Sequence, residues 1–329
     1  MINFNKLQDI IESHKSFLLT CHVNPDADAI GSEIALYEVL KQLGKKVFIV
    51  NHSLTPYNLL FLDKENIIEQ FDLEKHEHLF HEVEVLVALD FNKAERMVRL
   101  SNSFRASTKL KICIDHHQDP EEFVDHLFID ASYTSTGEII YDLIKKTNLV
   151  TLNSAIAYPI YAAIMTDTGS FRFERTTSDT HRIAAELLDL KVDPGEVFDK
   201  IYDQSHFGKI KLLGKALNSL TLFGKENKIG YMILDQKMIN ESKALESDTD
   251  GFVNFSLSVD SVVLGMLFIE LKEGFKVSFR SKGGIPVNKL AGEFGGGGHT
   301  NAAGARFFNK KLSDYQQKIL TKAEEYLNK

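Results

Sequence analysis

Four apolar runs in the first 115 residues, Ser16–Cys21, Lys46–Val50, Val83–Leu89 and Leu110–Ile114, constrain the fold more than any other feature of the chain. Each is short and apolar at nearly every position, so both faces of the strand it forms must be buried. Helical stretches lie between and after them: Ile30–Leu43, ended by Gly44, and segments around 136–147, 153–166 and 178–189. Doubly buried strands alternating with helices predict an α/β domain with a mainly parallel sheet flanked by helices.

The pattern changes at Lys191-Val192-Asp193-Pro194-Gly195, where Pro194 suits the first turn of a short connecting helix reaching about residue 205. Beyond it, residues 230–234, 262–271 and 275–280 read as strands of a smaller mixed sheet, the last alternating in and out as a half-buried strand does. Helices are predicted around 206–219, 286–294 and 312–327. The chain of 329 residues is long enough for two cores. The expected division is a domain over 1–190, a linker or hinge over 191–206 and a smaller C-terminal α/β domain over 207–329.

Charge follows the same division. Residues 1–206 carry 20 Lys and Arg against 33 Asp and Glu, and residues 207–329 carry 18 against 13. An acidic half beside a mildly basic one suggests metal held by the first and an anionic substrate by the second. The overall charge of −8 argues against coating long nucleic acid through a broad basic surface. No run of about 18 apolar residues is present, and the N-terminus is too polar for a secretory signal. Cys21 and Cys113 lie in buried runs and read as reduced core thiols, so a cytoplasmic protein without membrane partners is expected.

Chemistry gathers at the ends of the buried elements. His22, Asp26 and Asp28 follow the first strand, Asp90 the third and Asp115-His116-His117 the fourth, while Asp167 ends the apolar stretch 160–165. The C-terminal edge of a parallel sheet is where open α/β folds place ligands. Singly, Asp26 and Asp28 could shape a turn and cap a helix. Together, so many carboxylates on one side of a domain repel unless cations hold them. Imidazoles with carboxylates suit Mn²⁺ or Mg²⁺. Of the paired histidines, one can ligate metal while the other faces substrate as an acid. His76, His78 and His81 share a ligand-like spacing but sit in a Glu- and Lys-rich stretch that reads as solvated surface.

In the second half, Gly295-Gly296-Gly297-Gly298-His299 lets backbone N–H groups approach an anion without Cβ interference. Arg280, at a strand end, offers a fork suited to phosphate.

With these residues in view, the sequence resembles the DHH phosphoesterase superfamily, in the branch with a DHHA1 second domain. His22-Val23-Asn24-Pro25-Asp26-Ala27-Asp28, Leu89-Asp90, Asp115-His116-His117 and Met165-Thr166-Asp167-Thr168-Gly169 are similar to its four N-terminal motifs. Gly295–His299 with Ala302-Ala303-Gly304 is similar to the DHHA1 motif. The five motifs occur in order from about residue 16 to 308.

The resemblance implies two divalent cations, manganese foremost and magnesium or cobalt as alternatives. One would be held by His22, Asp26, Asp90 and Asp167, the other by Asp28, Asp90, His116 and Asp167. Asp115 would orient a histidine ligand, and His117 would donate a proton to the leaving oxygen or stabilise charge near it. Arg280, Gly296, Gly297, Gly298 and His299 would hold substrate, with 191–206 as the hinge of a closure. In size and layout the chain is most similar to the bifunctional oligoribonucleases, or nano-RNases. That implies attack of metal-activated water on short RNA or DNA oligonucleotides, pApA-type dinucleotides and adenosine 3′,5′-bisphosphate, not long duplexes. Cyclic or linear dinucleotides, pyrophosphate or polyphosphate, and a non-catalytic nucleotide sensor are the rival readings. A homodimer is left open.

Overall fold

The computed structural model describes residues 1–327, with His299 described by its backbone alone. Two compact units are present, Met1–Gln204 and Ser205–Lys329.

The first unit is built on six strands: β1 (Ser16–Cys21), β2 (Lys46–Asn51), β3 (Ile68–Gln70), β4 (Val85–Leu89), β5 (Leu110–Asp115) and β6 (His126–Ile129). All pair in parallel, in the order β3-β2-β1-β4-β5-β6. Among the described residues, nine α-helices accompany them: α1 (Phe4–Ser13), α2 (Ala27–Gln42), α3 (Leu73–His76), α4 (Leu79–Glu82), α5 (Ser101–Ala106), α6 (Thr136–Thr147), α7 (Ser154–Asp167), α8 (Ser178–Asp189) and α9 (Pro194–Tyr202). The unbroken hydrophobicity of the strands is now explained. Phe17, Leu19, Val85, Val87, Ile112 and Ile114 enter a core with α1, α2, α6 and α7. Leu18, Leu86, Ala88 and Cys113 enter a second core on the opposite face, with Phe80 of α4 and Phe104 of α5.

The chain runs outward from β1 to β3, then returns to β4 on the other side of β1. Connections on either side of that reversal diverge and leave a crevice at the C-terminal tips of β1 and β4, a position fixed by topology. Helix α2 crosses α7 at close range because residue 31 is glycine: a Cβ there would lie 2.5 Å from the carbonyl oxygen of Pro159.

Two expectations meet differences here. Most of the segment 191–206 belongs to the first unit, since Val192 and, on α9, Val197 and Ile201 join its core. His76, expected on the surface with His78 and His81, is buried: its ring packs by Phe71 and its Nδ1 accepts from Asp72 N at 2.9 Å. The polar composition of the stretch concealed one inward-facing ring; His78 and His81 are exposed.

The second unit has a six-stranded sheet of β7 (Thr221–Phe223), β8 (Ile229–Leu234), β9 (Leu264–Leu271), β10 (Gly274–Ser281), β11 (Gly297–His299) and β12 (Ala302–Phe308), ordered β11-β12-β10-β9-β8-β7. It is mixed: β8 and β9 pair in parallel and the other neighbours antiparallel. The α-helices α10 (Phe207–Asn218), α11 (Gln236–Ser242), α12 (Val287–Gly292) and α13 (Leu312–Leu327) cover it. Phe275, Val277 and Phe279 of β10 pack with Leu290 of α12 and Ile319 of α13, while Met232, Leu267 and Ile269 pack with Leu212 of α10 and Ile239 of α11. Cys21 and Cys113 are free and buried. Among the described residues, no helix is long and apolar enough to cross a membrane.

Candidate metal centre

Adjacent strand tips deliver the chemistry. His22 follows β1, Asp90 follows β4, and Asp115, His116 and His117 end β5, three neighbouring strands of one parallel sheet. Asp26 and Asp28 come from the start of α2, and Asp167 from the end of α7. Three donor groups result: His22 with Asp26 and Asp90; Asp28 with His116 and Asp167; and Asp90 with His116 and His117. Within each, the ligand atoms lie no more than 4.8 Å apart.

Asp90 links the first two. Its Oδ2 lies 3.4 Å from His22 Nε2 and its Oδ1 3.6 Å from His116 Nε2, so its two oxygens face different imidazoles. The residue is almost fully buried and adopts φ 64°, a left-handed conformation that Asp tolerates better than most side chains. Thr136 Oγ1 donates to its Oδ1 at 3.0 Å.

Asp26 also has two functions. Its Oδ1 accepts from the backbone N–H groups of Asp28 and Ala29 at 3.1 Å, which caps α2, while its Oδ2 faces His22 Nε2 at 3.8 Å. Asp28 is completely buried and sits at the N-terminus of a different helix, α6. There it accepts from Thr136 N at 2.8 Å and Gly137 N at 2.9 Å. Glycine at 137 makes this approach feasible, because a Cβ would lie 2.5 Å from that of Ala163 on α7. These helper groups, Thr136 and Gly137, escape a sequence reading aimed at charged residues. The Ser135-x-x-Glu138 pattern of a capping box marks their helix start, and Ser135 does accept from Glu138 N.

The electrostatics calls for cations. Burial first, then the charges of Asp28, Asp26, Asp167 and Asp115, push the Asp90 carboxyl well above the usual range. Burial and then Asp167 push Asp28 up to about 6. Burial would lower His116, but the neighbouring Asp167, Asp28 and Asp115 outweigh it and push it up to about 9. Protons thus occupy places that metal would take. His116 Nε2 is buried without an aligned hydrogen bond, although Asp167 Oδ2 lies 3.2 Å and Asp28 Oδ2 3.5 Å away. Its Nδ1 lies 3.0 Å from Arg175 Nη2, which can only donate, so a ring protonated on both nitrogens must release Arg175. His22 is already in ligand form. Its Nδ1–H donates to Val23 O at 2.9 Å, leaving an Nε2 lone pair toward the carboxylates, and burial lowers its pKa. The donor set fits two divalent cations.

Asp115 Oδ1 accepts from Nδ1 of His117, not from the proposed ligand His116, and the His117 ring is 45% exposed. The histidine that Asp115 orients is therefore the one free to meet a substrate.

In the second unit, strand register places His299, Ala302 and Arg280 in one row across β11, β12 and β10. The His299 side chain lies outside the described residues. Arg280 is half-buried, and burial lowers its pKa. Farther along the same strands Lys276 and Arg306 are engaged by Glu246, whereas no ion pair holds Arg280 among the described residues. Of the glycine run, Gly297 and Gly298 begin the short strand β11, and Gly295 and Gly296 lead into it. A Cβ at Gly296 would strike Gly304 O and one at Gly298 would strike Ala302 O, while Gly297 has open space.

Comparison with known proteins agrees with this geometry. Residues 16–164 match the DHH family N-terminal domain and residues 243–329 the DHHA1 domain. The chain belongs to the DHH family and is a metal-dependent phosphoesterase of the DHH–DHHA1 type. It is 34% identical over 315 residues to the bifunctional oligoribonuclease and PAP phosphatase NrnA of Thermus thermophilus, covering 94% of this chain and 90% of that one. To the Bacillus subtilis protein of the same description it is 29% identical, covering 92% and 93%. An exopolyphosphatase-related protein from Bacteroides fragilis has a crystal structure that superposes with TM-score 0.93 at 30% identity, covering 99% of this chain and 97% of that one.

Proposed function

We propose that this chain hydrolyses short oligoribonucleotides, pApA-type dinucleotides and adenosine 3′,5′-bisphosphate at a dimanganese centre. The observation that carries the reading is Asp90, whose two oxygens face the imidazoles of His22 and His116 at the switch point of a parallel sheet. The extent of likeness to the two NrnA proteins supports the substrate class.

His22, Asp26, Asp90 and Asp167 would hold one ion, and Asp28, Asp90, His116 and Asp167 the other. When bound, such ions neutralise phosphate oxygens and acidify the attacking water. The chain's own groups do the rest. Asp115 holds His117 by Nδ1, so His117 Nε2 is the atom that hands a proton to the leaving ribose oxygen. Arg280 and the N–H groups of Gly297 and Gly298, with His299, grip a substrate phosphate, while Gly296 contributes only its lack of a Cβ, since its own N–H donates to Ala291 O at 2.9 Å.

The description of the Bacteroides fragilis protein favours polyphosphate as a second reading. The test is incubation of the purified chain and Mn²⁺ with pApA, adenosine 3′,5′-bisphosphate, cyclic di-AMP, pyrophosphate and polyphosphate. Release of AMP from the first two at rates well above the others is expected. Turnover confined to polyphosphate or cyclic di-AMP would move the assignment to that substrate, and binding without turnover would make the chain a sensor.

A further inference from the structure

Behind the metal centre lies a carboxyl that the mechanism leaves unused. Glu33, on α2, is completely buried. Its Oε2 accepts from Asn51 Nδ2 at 2.7 Å, and its Oε1 has no hydrogen-bond partner. Asn51 ends β2 and is itself 1% exposed. Its Oδ1 accepts from the backbone N–H of Cys21 at 3.0 Å and from Thr20 Oγ1 at 3.4 Å. A backbone N–H can only donate, so the Asn51 amide has one orientation, and its NH₂ must face Glu33.

The chain of contacts leads to a ligand. Parallel pairing of β1 with β2 runs from Ser16↔Lys46 to Leu19↔Ile49, and at the tip of β1 a side chain of β2 takes over the Cys21 amide. The next residue is His22. Its ring reaches Asp26 and Asp90 only if that peptide keeps its plane, since Nε2 stands 3.4 Å from Asp90 Oδ2. We propose that Glu33 and Asn51 are a positioning pair: Glu33 fixes the Asn51 amide, Asn51 fixes the Cys21 peptide, and the peptide aims His22 at the metal on its side of Asp90.

Glu33 acts in its neutral form. Burial pushes its carboxyl up to about 8, and the Asn51 amide with the weakly donating Cys21 thiol does not compensate a charge sealed from water. An ionised Glu33 would also add to the charge of the carboxylates ahead of it. Glutamine therefore reproduces the required shape, and leucine fills the space but offers Asn51 no acceptor. The inference rests on the dimetal reading of the site.

The test is Mn²⁺ binding to the full chain by calorimetry and electron paramagnetic resonance, on wild type, Glu33→Gln, Glu33→Leu and Asn51→Ala. Wild type and Glu33→Gln should take up two ions and give the spin-coupled signal of a metal pair. Glu33→Leu and Asn51→Ala should keep one ion tightly and bind the other about 10–100-fold more weakly, as loss of an outer support does elsewhere. Their uncoupled signal at two equivalents should coexist with cooperative thermal unfolding. Unchanged affinity for both ions in a folded variant overturns the proposal. So does equal weakening of both steps together with a lowered unfolding midpoint, which would mark a general packing role. If Glu33→Leu does not fold, Asn51→Ala decides, since it removes the acceptor of Cys21 and Thr20 and the donor to Glu33 while leaving the Glu33 carboxyl in place. A wild-type chain that binds fewer than two ions overturns the dimetal reading itself, and this inference with it.

Discussion

The carboxylate of Asp115 accepts a hydrogen bond from Nδ1 of His117 at 2.7 Å, and this contact assigns different work to the two consecutive histidines. His116 turns inward to Asp28, Asp90 and Asp167, while His117 keeps a partly exposed ring with a fixed tautomer. The first prediction concerns that fixed ring. Replacing Asp115 with Asn removes the anion that stabilises an imidazolium without removing an acceptor. Turnover should fall about 10²-fold or more, with Mn²⁺ affinity little changed, and His117→Gln should have a similar effect. Single-turnover rates beside Mn²⁺ titrations check it. A matching loss of metal affinity in His117→Gln would make His117 a ligand.

Asp26 gives one oxygen to the cap of α2 and turns the other toward His22. Asp26→Asn retains an acceptor for the N–H groups of Asp28 and Ala29 but loses the charge facing His22. Metal-free stability should change by less than about 1 kcal/mol, since Asn caps as well as Asp. Mn²⁺ affinity should drop at one of two sites. Asp26→Ala should add a loss of about 1 kcal/mol from the missing cap. Calorimetric melting and Mn²⁺ titration of the same samples tell these apart.

Packing of α6 against α7 can be tested from one carbon atom. Gly137→Ala places a Cβ against Ala163 and pushes apart the helices that carry the donors to Asp28 and the Asp167 carboxylate. The expected cost is about 1–3 kcal/mol of stability, with activity reduced. Adding Ala163→Gly should restore most of the activity while keeping roughly 1 kcal/mol of the loss, because glycine is a poor helix former. Failure of the double variant to recover would place the damage elsewhere.

Much of this is legible in the sequence. Apolar runs with both faces buried read directly as a parallel sheet, and each strand tip then had to carry whatever followed it in sequence. Short elements were not legible. Strands β3, β6, β7 and β11 have three or four residues each, too few to show a period, and exist because a neighbour pairs with them. Asp26 and Asp28 illustrate the finer limit. A local reading suggested Asp28 as a cap for its own helix, but Asp26 caps it, and Asp28 serves α6, more than 100 residues away. Local propensity carries no record of such a distant partner. Glu33 was invisible for the same reason: only burial separates it from a surface glutamate.

The last prediction follows from the protons held within the proposed metal centre. In the metal-free chain, Asp28 has its pKa raised to about 6 and Glu33 to about 8, both mainly by burial. Surrounding carboxylates, against the effect of burial, raise His116 to about 9. All three folded values exceed their ordinary ones of 3.8, 4.5 and 6.5. A group raised on folding binds its proton more tightly in the native state, so its contribution is complete below the unfolded pKa and disappears as pH rises through the folded one. Metal-free stability should therefore decline from pH 5 to 9, by up to about 1.4 kcal/mol per pH unit for each group titrating in one state only. With Mn²⁺ the trend should reverse, because the ions displace protons from Asp28 and His116 and bind more tightly as pH rises. Thermal midpoints at pH 5, 7 and 9, in EDTA and in Mn²⁺, should diverge with increasing pH. A metal-free midpoint that rises across this range would mean that the buried acids are ionised and supported by contacts other than cations.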